Sequence, residues 1–469
     1  MTPIKFARES VCDPIGRVFF YEGNVYRAIS EDHRQQCLDF LGSELFKQLT
    51  QKNYIPETEI ASDIQLDGFS LILHHEKCTI SKPYEWTFEM FKDASLFILE
   101  LRSLCNKCGY ELKDSHPFNV SFHKGKPIWI DIGSIIPSGD NDEWIAKNEF
   151  IKTCIIPLLL WKDNDYFVLR SYLESDDLYY QRNSPYQDPL ENELITKKIA
   201  FLRQYHFQRG SRRFTRNRDI FTALLRPLDL YGRILKGRRN YKFIRSQLDY
   251  RLPSIEEIKH IQHDIPSTIW GDYCPTLNPK EIEESFPRFN RIYELFMRLC
   301  CDCHSMLDLA GNSGQFSLYM SDKNFFNDIT FIDNDENALQ KGYVYIREHG
   351  LEINALWSNL IFPPDYSSIS NRLQSDVVFA LAITHHLILT RQLPLQVVLE
   401  RIGGYASKYV FVEFMPKGLW VKHNKAPEIP EWYTEDWFKN GFEKNFKLLH
   451  IEHLEENRTL FIGEKHTAL

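Results

Sequence analysis

The chain has 469 residues, 43% hydrophobic and 26% charged, the balance of a water-soluble globular protein too long for one ordinary core. Its formal charge of −8 excludes a general nucleic-acid binder that works through bulk positive charge. Ten scattered cysteines, a start at Met1-Thr2-Pro3 with no signal-peptide core, and no apolar run of membrane-spanning length predict a cytoplasmic protein with reduced thiols.

Residues 17–30 predict a hairpin, with apolar runs on either side of Glu22-Gly23-Asn24. Cys37, Phe40, Leu41, Leu45, Phe46 and Leu49 then recur near helical spacing. Residues 69–73 predict a strand. Residues 87–108 predict a long helix with a buried stripe that includes Phe88, Phe91, Ala94, Phe97 and Leu101.

Next come Asp114 and Asn119, then a predicted strand over 127–130 that ends at Asp131-Ile132-Gly133. This order resembles the catalytic loop and metal-binding turn of protein-kinase-like folds. The resemblance covers roughly the first third of the chain. It implies an α+β kinase-like module in which Asp114 orients an attacking hydroxyl while Asn119 and Asp131 hold Mg²⁺ at a nucleotide. Arg27 stands where the phosphate-binding lysine is usual, with Glu44 as its expected partner. No glycine-rich phosphate loop is visible between Gly16 and Gly23, and Lys113 replaces the usual histidine. Two readings stay open: active phosphotransfer, or a kinase-shaped binding module.

Cys105 and Cys108 form a lone pair at a helix end, with no second pair at zinc-ribbon spacing. Cys300, Cys301, Cys303 and His304 run into a predicted strand, where neighbours point to opposite faces and cannot converge on one metal. Both clusters are read as structural, and no metal site is expected. Residues 203–245 carry thirteen basic side chains against Asp219 and Asp229, a local charge of +11 that leaves −19 on the rest of the chain. Such a block can hold an anionic partner, or serve as a connector docked on acidic surroundings. Its aromatics recur near helical spacing, which favours the connector.

The most informative stretch is Ser305-Met306-Leu307-Asp308-Leu309-Ala310-Gly311-Asn312-Ser313-Gly314. An apolar strand reaches a carboxylate, turns through small residues and enters a helix. Small residues let the backbone approach a ligand, and the helix start offers free N–H groups. The Gly-x-Gly-x-x-Gly spacing of a dinucleotide site is absent. The order instead resembles the cofactor loop of class I S-adenosylmethionine (SAM) methyltransferases. A second predicted strand, 329–332, stops at Asp333, where an acid can accept ribose hydroxyls. Asp335 is expected to cap the next helix. A third strand over 353–359 ends at Asn359, a candidate for the adenine amino group. A fourth, 376–382, leads into His385 and His386, near the expected methyl-transfer point. Either imidazole suits a general base, His385 slightly ahead.

The blocks 83–88, 112–114 with Asn119, 307–310, 376–387 and 412–417 are together similar to one group of bacterial class I SAM-dependent methyltransferases that takes in a rhizobial nodulation protein. The resemblance spans nearly the whole chain. It implies SAM as cofactor and, for a rhizobial source, a role in host-specific nodulation. Asn359, where an acid is usual, and Asn312 in the loop depart from the pattern. The expected fold is α/β: a kinase-like module over 1–200, a basic connector over 201–265, and a Rossmann-like, seven-stranded methyltransferase domain over 266–469. In it Asp308, Ala310, Gly311 and Gly314 would surround the amino-acid end of SAM, with Asp333 on the ribose and Asn359 on the adenine. The acceptor is unidentified, a small molecule or glycan being favoured over RNA. Bifunctional phosphotransfer and a non-catalytic SAM-binding protein are the alternatives.

Overall fold

A computed structural model describes residues 4–7, 10–11, 13–139, 143–162, 251–361, 363, 366–420 and 428–466. The basic block at 203–245, and with it the expected boundary near residue 200, lies outside the described residues.

The N-terminal unit opens with a five-stranded antiparallel sheet ordered β1-β2-β3-β5-β4. Its strands are β1 (Lys5–Phe6), β2 (Gly16–Tyr21), β3 (Asn24–Ile29), β4 (Thr58–Ile60) and β5 (Leu71–His75). The hairpin is tighter than the tripeptide suggested. Tyr21 pairs with Asn24, and Glu22 (φ 49°) and Gly23 (φ 82°) alone make the turn. Two positive φ values give the turn the twist of the flanking strands. The helical stretch that follows is two helices, α1 (Arg34–Leu41) and α2 (Glu44–Gln51). They separate at Gly42-Ser43 because the Ser43 side chain accepts from the Phe46 N–H and starts the second. The long helix α3 (Phe88–Lys107) is capped by Thr87 and buries Phe88, Phe91, Ala94, Ile98 and Leu101. After it, β6 (Tyr110–Leu112) pairs with β9 (Ile135–Pro137), and the hairpin of β7 (Val120–His123) and β8 (Lys126–Trp129) lies between them in sequence.

The C-terminal unit is a seven-stranded sheet ordered β12-β11-β10-β13-β14-β16-β15. The strands are β10 (Ser305–Leu309), β11 (Asp328–Asp333), β12 (Ile353–Trp357), β13 (Ser375–Ala380), β14 (Ala406–Phe414), β15 (Phe446–Glu455) and β16 (Arg458–Lys465). The pairs from β12 to β14 are parallel, and β16 enters antiparallel between β14 and β15. Numbered within the sheet, the order is 3-2-1-4-5-7-6 with strand 7 reversed, which is the class I methyltransferase arrangement. Its central strands are apolar on both faces, as helix-covered parallel strands must be.

The two units share one hydrophobic core that runs from Ile15 to Ile462. Polar contacts lock the seam. The β7–β8 turn presses on the edge strand β12, where the Gly125 N–H donates to Asn354 Oδ1 at 3.2 Å. Gly125 has φ 72°, and an added Cβ would lie 2.7 Å from the Leu351 carbonyl oxygen, so only glycine fits there. Asn354 Nδ2 donates to Thr79 Oγ1 and to Asp328, each at 3.2 Å. Arg347 spans Glu89 (3.0 Å) and Asp93 (2.8 Å), while Arg372 bonds Glu85 and the Ile80 carbonyl. Covering β12 removes an open sheet edge, so the N-terminal unit completes the fold of its neighbour. Among the described residues no helix is long and apolar enough to cross a membrane.

Candidate active site

The loop after β10 carries the site. Ala310 (φ 57°), Asn312 (φ 55°) and Gly314 (φ 80°) alternate in the left-handed region. Asparagine tolerates that conformation through its short polar side chain, whereas alanine pays roughly 1–2 kcal/mol for it. Gly314 opens helix α4 (Gln315–Asp322), and a Cβ there would sit 2.7 Å from the Phe331 ring. The loop therefore stays close to β11, and its N–H groups are engaged within it: Gly311 donates to the Ile332 carbonyl at 3.1 Å, Ser313 to Asn312 Oδ1 at 2.8 Å and Gly314 to the Gly311 carbonyl at 2.8 Å.

The two carboxylates stand side by side, as the sequence suggested. Asp308 pairs with Phe331 across the β10–β11 ladder, and Asp333 closes β11. Asp333 Oδ2 accepts from the Asn312 N–H at 2.8 Å and Oδ1 from the Asp335 N–H at 2.7 Å. Burial nonetheless raises its pKa to about 6. Asp308 lies directly beneath Gly311, whose added Cβ would come within 2.8 Å of Asp308 Oδ2. The Ser317 hydroxyl donates to it at 3.1 Å. Burial, with Asp333 adding like-charge repulsion, pushes Asp308 up to about 7. Asp335 caps helix α5 (Glu336–His349) by accepting from the Ala338 N–H, as expected.

Asn359 sits beyond β12, which ends at Trp357, and its Oδ1 accepts from the Ile361 N–H at 3.1 Å. The oxygen expected to face adenine thus braces its own turn. One residue earlier, the buried Ser358 hydroxyl has no hydrogen-bond partner, and the Ser358 N–H donates to the Asp333 carbonyl at 2.9 Å. Ser358 was missed in the sequence because a lone serine carries no signal.

The tandem histidines follow β13. His385 is buried, and its Nδ1 has no hydrogen-bond partner. Burial first, then His386 and the Arg458 charge, push its pKa down to about 3. Burial also lowers His386. Both are neutral near pH 7. The His386 ring meets the Trp270 ring edge-on at 5.1 Å, and the two imidazoles lie 4.1 Å apart.

Trp270 belongs to a strap over residues 265–276 that no sequence pattern marked. Its carbonyl accepts from Asn312 Nδ2 at 2.9 Å, Thr268 Oγ1 donates to Asp335 at 2.9 Å, and Lys341 Nζ donates to the Gly271 carbonyl at 2.7 Å. Asn312, a departure by sequence, is thus what fastens the strap to the loop. Glu413, at the end of β14, is fully buried. Its Oε2 accepts from the Ala382 N–H (2.9 Å) and Arg458 (2.6 Å), and its carbonyl accepts from Thr384 (2.6 Å). Glu413 therefore holds the turn that carries His385 and His386.

The N-terminal candidates partly converge. Arg27 is buried and pairs with Asp131 (3.1 Å) and with Asp13 (2.9 Å). The Asn119 carbonyl accepts from the Ile130 N–H at 2.9 Å, and the Lys113 N–H donates to the Ser134 carbonyl at 2.9 Å, which brings Asp114 to the same turn. Glu44 does not join them. It opens α2 on the surface, bonded by Gln48, while Asp13 and Asp131 both meet Arg27 Nη1. Glu76, Cys78 and His123 also cluster. There the Thr79 N–H donates to His123 Nδ1 at 3.2 Å, so the neutral ring carries its proton on Nε2 and offers no lone pair to a metal.

The sheet order and the left-handed loop define a class I methyltransferase fold with a strap-covered site. The chain matches no established protein-family model. It is 23% identical to the nodulation protein NoeA of Rhizobium meliloti (strain 1021), over 97% of this chain and 94% of the relative. Among solved structures, PH0226 of Pyrococcus horikoshii OT3 is 15% identical over 43% of this chain and all of its own length, at a TM-score of 0.33. A SAM-dependent methyltransferase of Aquifex aeolicus is 17% identical over 41% of this chain and all of its own, at a TM-score of 0.30.

Proposed function

We propose that the protein is a SAM-dependent methyltransferase. The observation that carries this reading is the adjacency of Asp308 and Asp333 beneath a loop whose residues 310, 312 and 314 are all left-handed. Two features support a fit to the cofactor. Among the described residues no cationic side chain pairs with either buried carboxylate, which suits a ligand that is itself cationic. The orphan Ser358 hydroxyl beside Asp333 awaits a polar partner. Asp333 would hold the ribose and Asn359 or Ser358 the adenine, while the 310–314 loop takes the amino-acid end over Asp308.

SAM, when bound, supplies an electrophilic methyl whose transfer to a hydroxyl or amine leaves one proton to remove. His385, neutral and with no hydrogen-bond partner on Nδ1, can accept that proton, with His386 alongside as the second candidate. The acceptor class is a small molecule or a glycan, and likeness to NoeA favours a role in nodulation if the source is a rhizobium.

Titration calorimetry with SAM and S-adenosylhomocysteine, followed by labelled-methyl transfer to fractionated cell extract, tests the assignment. Absence of binding to either ligand refutes it. Binding with no transfer points to a non-catalytic SAM-binding protein. A second, nucleotide-dependent activity in the N-terminal unit draws on the Arg27–Asp131 pair, with Asp114 and Asn119 as further candidates. Mg²⁺-ATP binding that disappears in Asp131→Ala would support it, and no binding would dismiss it.

A further inference from the structure

Strands β10 and β13 are parallel neighbours, and the order of the sheet reverses between them. Ligands of open α/β sheets enter the crevice at such a reversal. Trp270 crosses its mouth. The Trp270 carbonyl accepts from Asn312 in the loop after β10, while its ring meets His386, in the turn after β13, edge to face at 5.1 Å. The Tyr273 N–H donates to the same carbonyl at 3.2 Å, so one tight turn presents both rings, their centres 6.1 Å apart. The charge of Arg458 acts on Tyr273 and on His385 alike, which places the phenol beside the histidine turn.

Trp270, Tyr273, His385 and His386 thus form a cluster of uncharged rings, burial keeping both imidazoles neutral near pH 7. Arg458 beside them is matched by Glu413 at 2.6 Å and Glu455 at 3.2 Å, and Arg288 meets Glu455 at 3.3 Å. No net positive charge is left there to repel a cation. Trp270 is 44% exposed and Tyr273 58%, so a ligand can reach their faces. A π face attracts a positive group within about 6 Å of its centre, tryptophan most strongly, and grouped aromatic rings are a common seat for onium cations. SAM and S-adenosylhomocysteine share adenosine, ammonium and carboxylate, and differ at sulfur, a methylated sulfonium in one and a neutral thioether in the other. Their affinity ratio therefore reports on what lies against the sulfur.

Resting on the methyltransferase reading, we infer that Trp270, with Tyr273 beside it, is the seat of the SAM sulfonium and makes the site prefer SAM over its demethylated product.

Titration calorimetry of the full-length protein with SAM, and separately with S-adenosylhomocysteine, tests this. Trp270→Leu keeps apolar bulk and the backbone carbonyl that holds Asn312, but removes the π face. It should weaken SAM roughly three- to thirtyfold and leave S-adenosylhomocysteine within twofold. Trp270→Phe, with a weaker π face, should fall between Trp270→Leu and the wild type. Equal losses for the two ligands would mean that the side chain merely braces the strap, and would overturn the sulfonium seat. An unchanged SAM affinity, or a phenylalanine variant no better than the leucine one, overturns it as well. A melting curve checks that each variant is folded. Tyr273→Leu, at the more exposed ring, should show the same split more weakly, and it decides the matter if the Trp270 variants do not fold. Wild-type protein that binds neither ligand refutes the methyltransferase reading, a result distinct from loss of the preference alone.

Discussion

Asp308 gives the sharpest test of the electrostatics under the 310–314 loop. Its carboxyl rises from 3.8 to about 7 because burial removes water and the Ser317 hydroxyl only partly replaces it. Three pKa units correspond to about 4 kcal/mol between the ionised and protonated forms. In the window from the ordinary carboxylate range to pH 7 the folded state holds a proton that the unfolded state has released. Stability therefore falls as pH rises through that window, and the full penalty is present by pH 8. Asp308→Asn keeps an oxygen for Ser317 and removes the charge. The expected result is a variant more stable than the wild type at pH 8, by up to about 4 kcal/mol, and indistinguishable from it near pH 4. Scanning calorimetry at the two pH values reads this directly. A cationic ligand should reverse the balance, so the variant should bind SAM more weakly, and wild-type binding near pH 6–7 should release a proton that the variant does not. Calorimetry in two buffers of different ionisation enthalpy detects that proton. If Asp308→Asn is destabilised at pH 8 as much as at pH 4, the carboxylate has a counter-charge and the reasoning fails.

Gly314→Ala combines a forbidden φ with a Cβ 2.7 Å from the Phe331 ring, and should cost roughly 2–4 kcal/mol in thermal unfolding and eliminate SAM binding. Glu85→Ala removes the buried partner of Arg372 at the seam and should lower stability by about 3–5 kcal/mol in denaturant titration; a loss under 1 kcal/mol would mean that the seam is not held there. His385→Ala should leave S-adenosylhomocysteine affinity within twofold while lowering labelled-methyl transfer by roughly 10²–10⁴, and undiminished transfer would shift the base role to His386.

The elements that carry their own period were legible. Strands β10, β11 and β13 are short apolar runs that lead to Asp308, Asp333 and the histidine turn, and each falls within two or three residues of its expected position. Local capping was legible for the same reason, as at Asp335. Pairings that depend on distant chain were not. Glu44 has the right spacing for Arg27, but Asp13 and Asp131 reach the guanidinium first. Arg288, Glu413 and Arg458 come from three separate elements, and no local pattern marks them as one cluster. Asn312 looked like a defect in a glycine pattern because the strap it fastens lies some forty residues upstream.

The strap also explains why the two units are fused. Residues Ile255–Lys259 form a helix whose Ile258 is buried in the common core, and the His263 ring then meets Phe88 of α3 at 5.2 Å. Only a few residues later the chain crosses the 310–314 loop through Thr268, Trp270 and Gly271. The cover of the site is therefore anchored on the N-terminal unit at one end and on the methyltransferase sheet at the other. A short tether between two fixed points loses little conformational freedom when it settles over a ligand, whereas a free N-terminal arm would lose about 1–2 kcal/mol per ordered residue. With β12 sheltered by the β7–β8 turn, the first third of the chain does two things for the site: it completes the edge of the sheet and holds the cover in register with Asn312.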